Sequence, residues 1–328
     1  MKEWNVGSLL EVSGGYWQTC TLHAGVKLGI FSILETGDGT AEKIAGRLES
    51  DVRGTTMLLN ALTAMDLIAK TGDRFVNTPF SKAFLVKESP HYIGYMVMHH
   101  HHLVEAWARL DQAVVSGRPS RERPHSNEER ESFLMGMFNL AMGIAPHVSR
   151  LIDLKGRRHL LDLGGGPGTY AVHFCLANPD LSATVADLPT SRPFAEKTIS
   201  RFGLTDRITF VPCNYLEDDI PGSYDVVWLS HVLHGDGPEE CQMIIHRAVS
   251  ALAPGGVMMI HDFILNDTFD GPLFPAIFSL NMLVNTEKGR SYSDGQIREM
   301  MTKAGLGQIK RLPFEGPNAS GILSGMKA

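Results

Sequence analysis

Two hydrophobic rhythms divide the chain, and the change falls near residue 150. Before it, apolar residues recur at helical spacing. Residues 8–34 place Leu9, Leu10, Val12, Trp17, Leu22, Val26 and Leu28 on such a stripe, and Gly29 and Gly37 mark its exit. TAEKIAGRLE predicts a helix opening at Thr40, with half a capping box, because Lys43 stands where Glu or Gln would complete it. Residues 53–69 predict another, turning Met57, Leu58, Ala61, Leu62, Met65 and Leu67 towards a core. The basic turn KTGDR then leads to the β-like FVNT, so helix, turn, helix and a small β wing predict a winged-helix-like unit. Residues 91–117 and 127–152 read as two more helices, with SGRPSRERPHSN between them as a linker.

From residue 158 strands alternate with helical segments: HLLDLG, SATVADL, RITFVPC, YDVVWLSHV and VMMIHDFI. That alternation predicts right-handed crossovers in a mostly parallel sheet. The end differs: GQIKRLPF and SGILSGMKA are separated by the short EGPNA, which can only join antiparallel partners. The expected organisation is a winged-helix-like unit over 1–105, connecting helices over 106–152 and a Rossmann-like α/β domain over 153–328.

A chain of 328 residues suits two domains, and 43% hydrophobic with 20% charged residues is a globular composition. A net charge of -6 gives no general attraction to nucleic acid or to an anionic membrane. The opening MKEWNVGSLLEVSGG has no long apolar run behind basic residues, and no stretch reaches spanning length, so neither a signal peptide nor a membrane helix is expected. Cys20, Cys175, Cys213 and Cys241 are scattered without a CxxC pair, as in a reduced, cytoplasmic protein. A DNA-reading helix would carry a basic face, whereas 53–69 offers only Arg53, so the apolar first unit is read as a dimer interface and no nucleic acid is expected.

The chemistry concentrates in Leu160–Tyr170, LLDLGGGPGTY, where an apolar strand runs into a glycine turn and a helix begins at about Thr169. Glycines serve where backbone folds tightly and a ligand packs on main chain. Asp187 ends the next strand, about 20 residues further on, where such folds place a carboxylate for ribose hydroxyls. A dinucleotide loop would need Gly or Ala where Thr169 stands, and Pro167 lacks the N–H that a pyrophosphate cradle uses.

In order, DLGGGPGT, ADLP, YDVVWLSHVLH, LAPGG and DFIL resemble the plant caffeate-type, acetylserotonin-type and bacterial polyketide-type O-methyltransferases, and the resemblance runs over essentially the whole chain. It implies a class I methyltransferase fold behind a homodimerising domain, with S-adenosylmethionine, which needs no phosphate cradle, as cofactor. It implies that Gly164, Gly166 and Asp187 hold the cofactor's methionine part and ribose, and that Asn214, where the family has Asp, meets the adenine amine. Asp162, Leu188, Tyr215 and Ser230 complete the expected cofactor set.

The resemblance also implies that His234 is the general base towards a small-molecule acceptor, a hydroxyl on an aromatic compound, and that Asp262 orients it. The family's Asp-Trp after that histidine is Gly235-Asp236 here, and its second glutamate falls on Gly289, with Glu287 nearby but not equivalent. Those departures leave a sulfur or carbon acceptor, or cofactor binding without methyl transfer, as the alternative. His231, three residues before the base, is read as packing or pocket lining. The resemblance places Met135, Phe138, Met142, Phe278, Asn281 and Met282 around the acceptor. The run His99–His102, with Glu105 a turn beyond, is a partial ligand set, and no metal is expected.

Overall fold

The computed structural model describes residues 3–37, 39–120 and 126–328. Arg121–His125, the middle of the predicted linker, lie outside the described residues. The chain forms two compact units, one of Met1–Val104 with Ser126–Asn139, the other of Glu105–His125 with Leu140–Ala328.

The first unit begins with α1 Val6–Gly14, α2 Tyr16–Lys27 and α3 Ile30–Leu34. The continuous stripe predicted over 8–34 is thus broken twice, at Gly15 and at Gly29. Gly29 sits at φ 67°, a left-handed conformation that ends a helix and that glycine adopts without a Cβ penalty. Next come α4 Ala41–Leu48, whose Thr40 hydroxyl accepts from the Lys43 N–H at 3.4 Å, and α5 Val52–Ala64, capped by Asp51. Helix α5 stops short of the predicted Ala69 because Asp66 turns at φ 57°. The chain then enters β1 Ile68–Thr71, which pairs antiparallel with β2 Arg74–Asn77. The face of α5 that is buried is Thr55, Leu59 and Leu62; Met57, predicted inward, is exposed. Ile30, Phe31, Ile44, Leu59, Leu62, Ile68 and Phe75 make the core. α6 Pro79–Phe84 and α7 Gly94–Trp107 follow. The predicted 91–117 helix divides at Arg109 (φ -112°), giving α7 and α8 Leu110–Ser116, before α9 Asn127–Leu151.

The second unit carries β3 His159–Leu163, α10 Thr169–Ala177, β4 Ser182–Asp187, α11 Arg192–Arg201, β5 Ile208–Pro212 and β6 Tyr224–Ser230. It continues with α12 Pro238–Ser250, β7 Leu252–Leu265, α13 Leu273–Asn285, β8 Tyr292–Ser293, α14 Asp294–Lys303, β9 Leu306–Arg311 and β10 Ser320–Lys327. The strand order is β5-β4-β3-β6-β7-β10-β9, with β8 beside the end of β7. The five strands β3 to β7 are mutually parallel, and β10 inserts antiparallel between β7 and β9. Alternation along the strands sorts the core. Leu161, Leu163, Val227, Leu229 and Ile260 pack with Ile244 and Ile297 of α12 and α14. Leu160, Val226, Trp228 and Met259 pack with Phe174 and Ile199 of α10 and α11. The order reverses between β3 and β6, and at such a switch point the carboxyl ends of the strands open a ligand crevice. Among the described residues no helix is long and apolar enough to cross a membrane.

Candidate active site

At that crevice β3 ends in the glycine loop. Gly164 and Gly166 take φ 68° and 51°, and the Gly164 N–H donates to the Ala186 carbonyl at 2.8 Å, tying the loop to the end of β4. A Cβ on Gly164 would stand 2.6 Å from Val232 Cγ2 and 3.5 Å from the Tyr215 ring, so Gly164 is required on steric and conformational grounds, and Gly166 is favoured by its positive φ. Behind the loop the buried Asp162 carboxylate accepts the Ala171 N–H of α10 at 3.1 Å. Burial, helped by the Asp187 charge and opposed by the Ala171 amide, pushes the Asp162 carboxyl up to about 7.

Asp187 accepts from the Gly166 N–H through Oδ2 (2.7 Å), and through Oδ1 from the Leu188 N–H (2.7 Å) and the Ser191 hydroxyl (2.8 Å). A carboxylate has about four lone-pair directions, so Oδ2 retains capacity for a ligand hydroxyl. Asn214 Oδ1 accepts the Leu216 N–H at 3.2 Å, which fixes its side chain at the end of β5, and its carbonyl can accept once more. Ser230 is committed elsewhere: its hydroxyl lies 2.9 Å from His261 Nδ1, which Tyr170 OH approaches at 3.4 Å. The half-buried glycine main chain, the rimming carboxylate and the covering Tyr215 fit a nucleoside that brings hydroxyls and no phosphate.

Beyond the same edge, His234 sits in the short turn Leu233–Gly235 and its Nδ1 lies 2.7 Å from Asp262 Oδ1 on β7. That oxygen also accepts the Phe263 N–H at 2.8 Å. Burial pushes the Asp262 carboxyl up, but the neighbouring His234 and His231 and the His234 hydrogen bond outweigh it and hold it below the usual carboxylate range. An ionised Asp262 takes the hydrogen bond from Nδ1–H, which leaves the lone pair of a neutral His234 on Nε2. Phe278 stands edge-on to the His234 ring at 4.8 Å, with Phe263 stacked at 6.1 Å and Phe274 4.9 Å from Phe263.

The structure brings together the pair that the resemblance implies, His234 and Asp262, with Phe278 beside the histidine. Phe263 and Phe274 went unremarked; the signal was there, one residue after Asp262 and four before Phe278. Met142 lies with its sulfur 3.4 Å from His173 Nε2, Asn281 accepts from the Trp107 indole N–H at 2.9 Å, and Met282 is buried in the core. Met135 and Phe138 belong to the first unit. At the positions nearest the family's second carboxylate, Glu287 is exposed, and a Cβ on Gly289 would lie 2.5 Å from the His234 carbonyl oxygen.

Two family models cover most of the chain, an O-methyltransferase dimerisation domain over residues 10–87 and an O-methyltransferase domain over 109–307. Among curated proteins it is 32% identical to a 3-hydroxy-5-methyl-1-naphthoate 3-O-methyltransferase of Streptomyces sahachiroi, over 98% of this chain and 95% of the relative. Among solved structures, an O-methyltransferase family protein from Burkholderia thailandensis matches at TM-score 0.89 and 30% identity, covering 100% of this chain and 99% of that one. PigF, solved with SAH, matches at TM-score 0.90 and 26% identity, covering 99% and 100%. The chain belongs to the O-methyltransferase family. It is an S-adenosylmethionine-dependent methyltransferase built as a helical dimerisation domain and a Rossmann-like catalytic domain.

Proposed function

We propose that the enzyme methylates a hydroxyl of a small aromatic molecule, with His234 as general base and Asp262 as its orienting partner. The observation that carries this is the 2.7 Å contact between His234 Nδ1 and the buried Asp262 carboxylate, which leaves Nε2 as the basic nitrogen beside an aromatic wall. The bound cofactor supplies an activated methyl group on a sulfonium. The chain's part is to position the acceptor and to take its proton: the acceptor's O–H bond would break with the proton going to Nε2, and its O–CH₃ bond would form as the methyl–sulfur bond breaks and the electron pair stays on the departing thioether. Phe263, Phe274 and Phe278 give a flat ring an apolar surface, and exclude water from it.

The same reading makes 1–105 a winged-helix-like homodimerisation domain, 106–152 a connection that contributes Met142 to the acceptor side, and 153–328 the catalytic domain of a cytoplasmic enzyme. One observation favours a second reading, transfer to sulfur or carbon or no transfer at all: Gly289 leaves no room for a second carboxylate beside the base. Methyl-labelled cofactor offered with panels of phenols, thiols and indoles separates the two. Label in phenolic ethers is expected; label confined to thioethers or ring carbon would overturn the hydroxyl assignment.

A further inference from the structure

His231 is the residue that the proposed chemistry leaves unused. It follows β6 in a left-handed turn, φ 56°, held by its N–H donating to the His261 carbonyl at 2.8 Å. A β-carbon makes that conformation costly, so its imidazole is aimed by the join of β6 to β7 and does not hang free. Its Nδ1 stands 3.5 Å from Asp262 Oδ1, too far for a good hydrogen bond, and the Phe263 ring packs on it at 4.4 Å. One carboxylate oxygen thus faces two imidazoles, and of the two it bonds only His234 closely, beside the Phe263 N–H. Among the described residues, His231 Nδ1 and Asp262 Oδ2 are both buried without a hydrogen-bond partner, and Asp262 is 3% exposed. Buried polar atoms in that state call for a function or a partner.

We propose that His231, His234 and Asp262 form a site for a divalent transition metal of the zinc class, and that its occupation switches the enzyme off. One ligand atom from each residue lies within 4.8 Å of the others, the one such group of three among the described residues. Four-coordinate zinc with bonds of about 2.0–2.1 Å sets neighbouring ligand atoms about 3.3 Å apart. The His231–Asp262 separation of 3.5 Å is already near that value; the 2.7 Å hydrogen bond of His234 has to open, and the two imidazoles, whose ligand atoms lie within 4.8 Å of each other, have to adjust to the same spacing. Two imidazoles and a carboxylate suit zinc, cobalt or nickel, whereas magnesium and calcium require oxygen ligands. A fourth position stays open for water or for the acceptor itself.

Inhibition follows from the tautomer. A metal on His234 Nδ1 takes that nitrogen's lone pair, so the proton of the neutral imidazole moves to Nε2, the nitrogen that must accept the acceptor's proton. The inhibition, though not the binding, rests on His234 being the base. The test is a Co²⁺ titration of the full chain followed by visible absorption, with S-adenosylhomocysteine binding as the check on folding. Wild type should bind Co²⁺ with the bands of a nitrogen–oxygen site, and Zn²⁺ should inhibit it reversibly on adding chelator. His231→Phe and, separately, Asp262→Ala should each weaken Co²⁺ by about 100-fold or more while still binding S-adenosylhomocysteine, a loss at or beyond the 10- to 100-fold typical of an outer-shell partner. Undiminished Co²⁺ binding in either folded variant overturns the proposal and moves the metal elsewhere, for instance to His99–His102. Metal binding at the site without inhibition keeps the site, and overturns both the switch and the general-base reading of His234.

Discussion

Gly289 lies against the turn that carries His234: a Cβ at position 289 would stand 2.5 Å from the His234 carbonyl oxygen and 2.9 Å from that of Gly235. The Thr286 hydroxyl crowds the same place, but the two carbonyls are backbone, which cannot swing aside as a side chain can. Gly289→Ala should therefore shift the His234 turn, costing about 1–3 kcal/mol of stability. Thermal unfolding reads the loss, and turnover should fall while S-adenosylhomocysteine affinity stays within about twofold, because the glycine loop is untouched. Unchanged melting and turnover would show that the turn is softer than the structure has it.

His234→Ala should lower turnover by roughly 10²–10⁴ with little change in cofactor affinity, since the base acts on the acceptor. Asp262→Asn should cost less, by misorienting the imidazole. Steady-state rates over phenols of graded acidity make the test specific. Phenols already ionised at the assay pH should lose least from His234→Ala, and a loss independent of acidity would remove the general-base role.

Asp187 accepts three hydrogen bonds from Gly166, Leu188 and Ser191, and keeps Oδ2 capacity for a ribose hydroxyl. Asp187→Ala should weaken S-adenosylhomocysteine by on the order of 1.5–3 kcal/mol, the value of a hydrogen bond to a charged group. Calorimetry should also find NAD far weaker than the nucleoside product. NAD binding as tightly as S-adenosylhomocysteine would contradict the reading of the glycine loop.

Asp162 makes a prediction about pH. Its folded value, about 7, lies above the ordinary carboxylate value, because burial penalises the charge. Its contribution to stability is full below the unfolded value near 4 and is lost as pH rises through about 7. Between pH 4 and 7.5 the ligand-free protein should lose stability relative to Asp162→Asn, by on the order of 4 kcal/mol at most. Denaturant melts of both proteins across that range check it, and parallel curves would mean that Asp162 is ionised at little cost.

Helix α1 has no buried residue, and Leu9, Leu10, Val12 and Trp17 around it are exposed by 59–68%. With a dimerisation-domain family model over 10–87, this predicts a homodimer that covers the stripe. Leu9→Glu with Trp17→Glu should yield monomer by light scattering at micromolar concentration. A dimer unaffected by both changes would place the interface elsewhere.

The sequence by itself determined the parallel sheet, the antiparallel final strand, the glycine loop and the candidate carboxylate Asp187, while His234 and Asp262 were candidates through resemblance. Each rests on information a few residues long: the period of an apolar run, a glycine where φ must be positive, a carboxylate at a strand's end. Tertiary structure decided the rest. Nothing local states that α5 ends at Asp66, or that the stripe over 8–34 breaks at Gly29, since helix spacing survives a turn that its glycine permits. Nor does spacing disclose that His231 and His234 face one oxygen of Asp262; a histidine run at 99–102 drew the metal question, while the group that converges lies in the turn after β6 and on β7. That meeting depends on β6 lying beside β7 in a register that sets Ser230 opposite His261, so residues about 30 positions apart end at one edge. Strand order and register are fixed by the packing of both faces of the sheet at once, and no short stretch of the chain contains it.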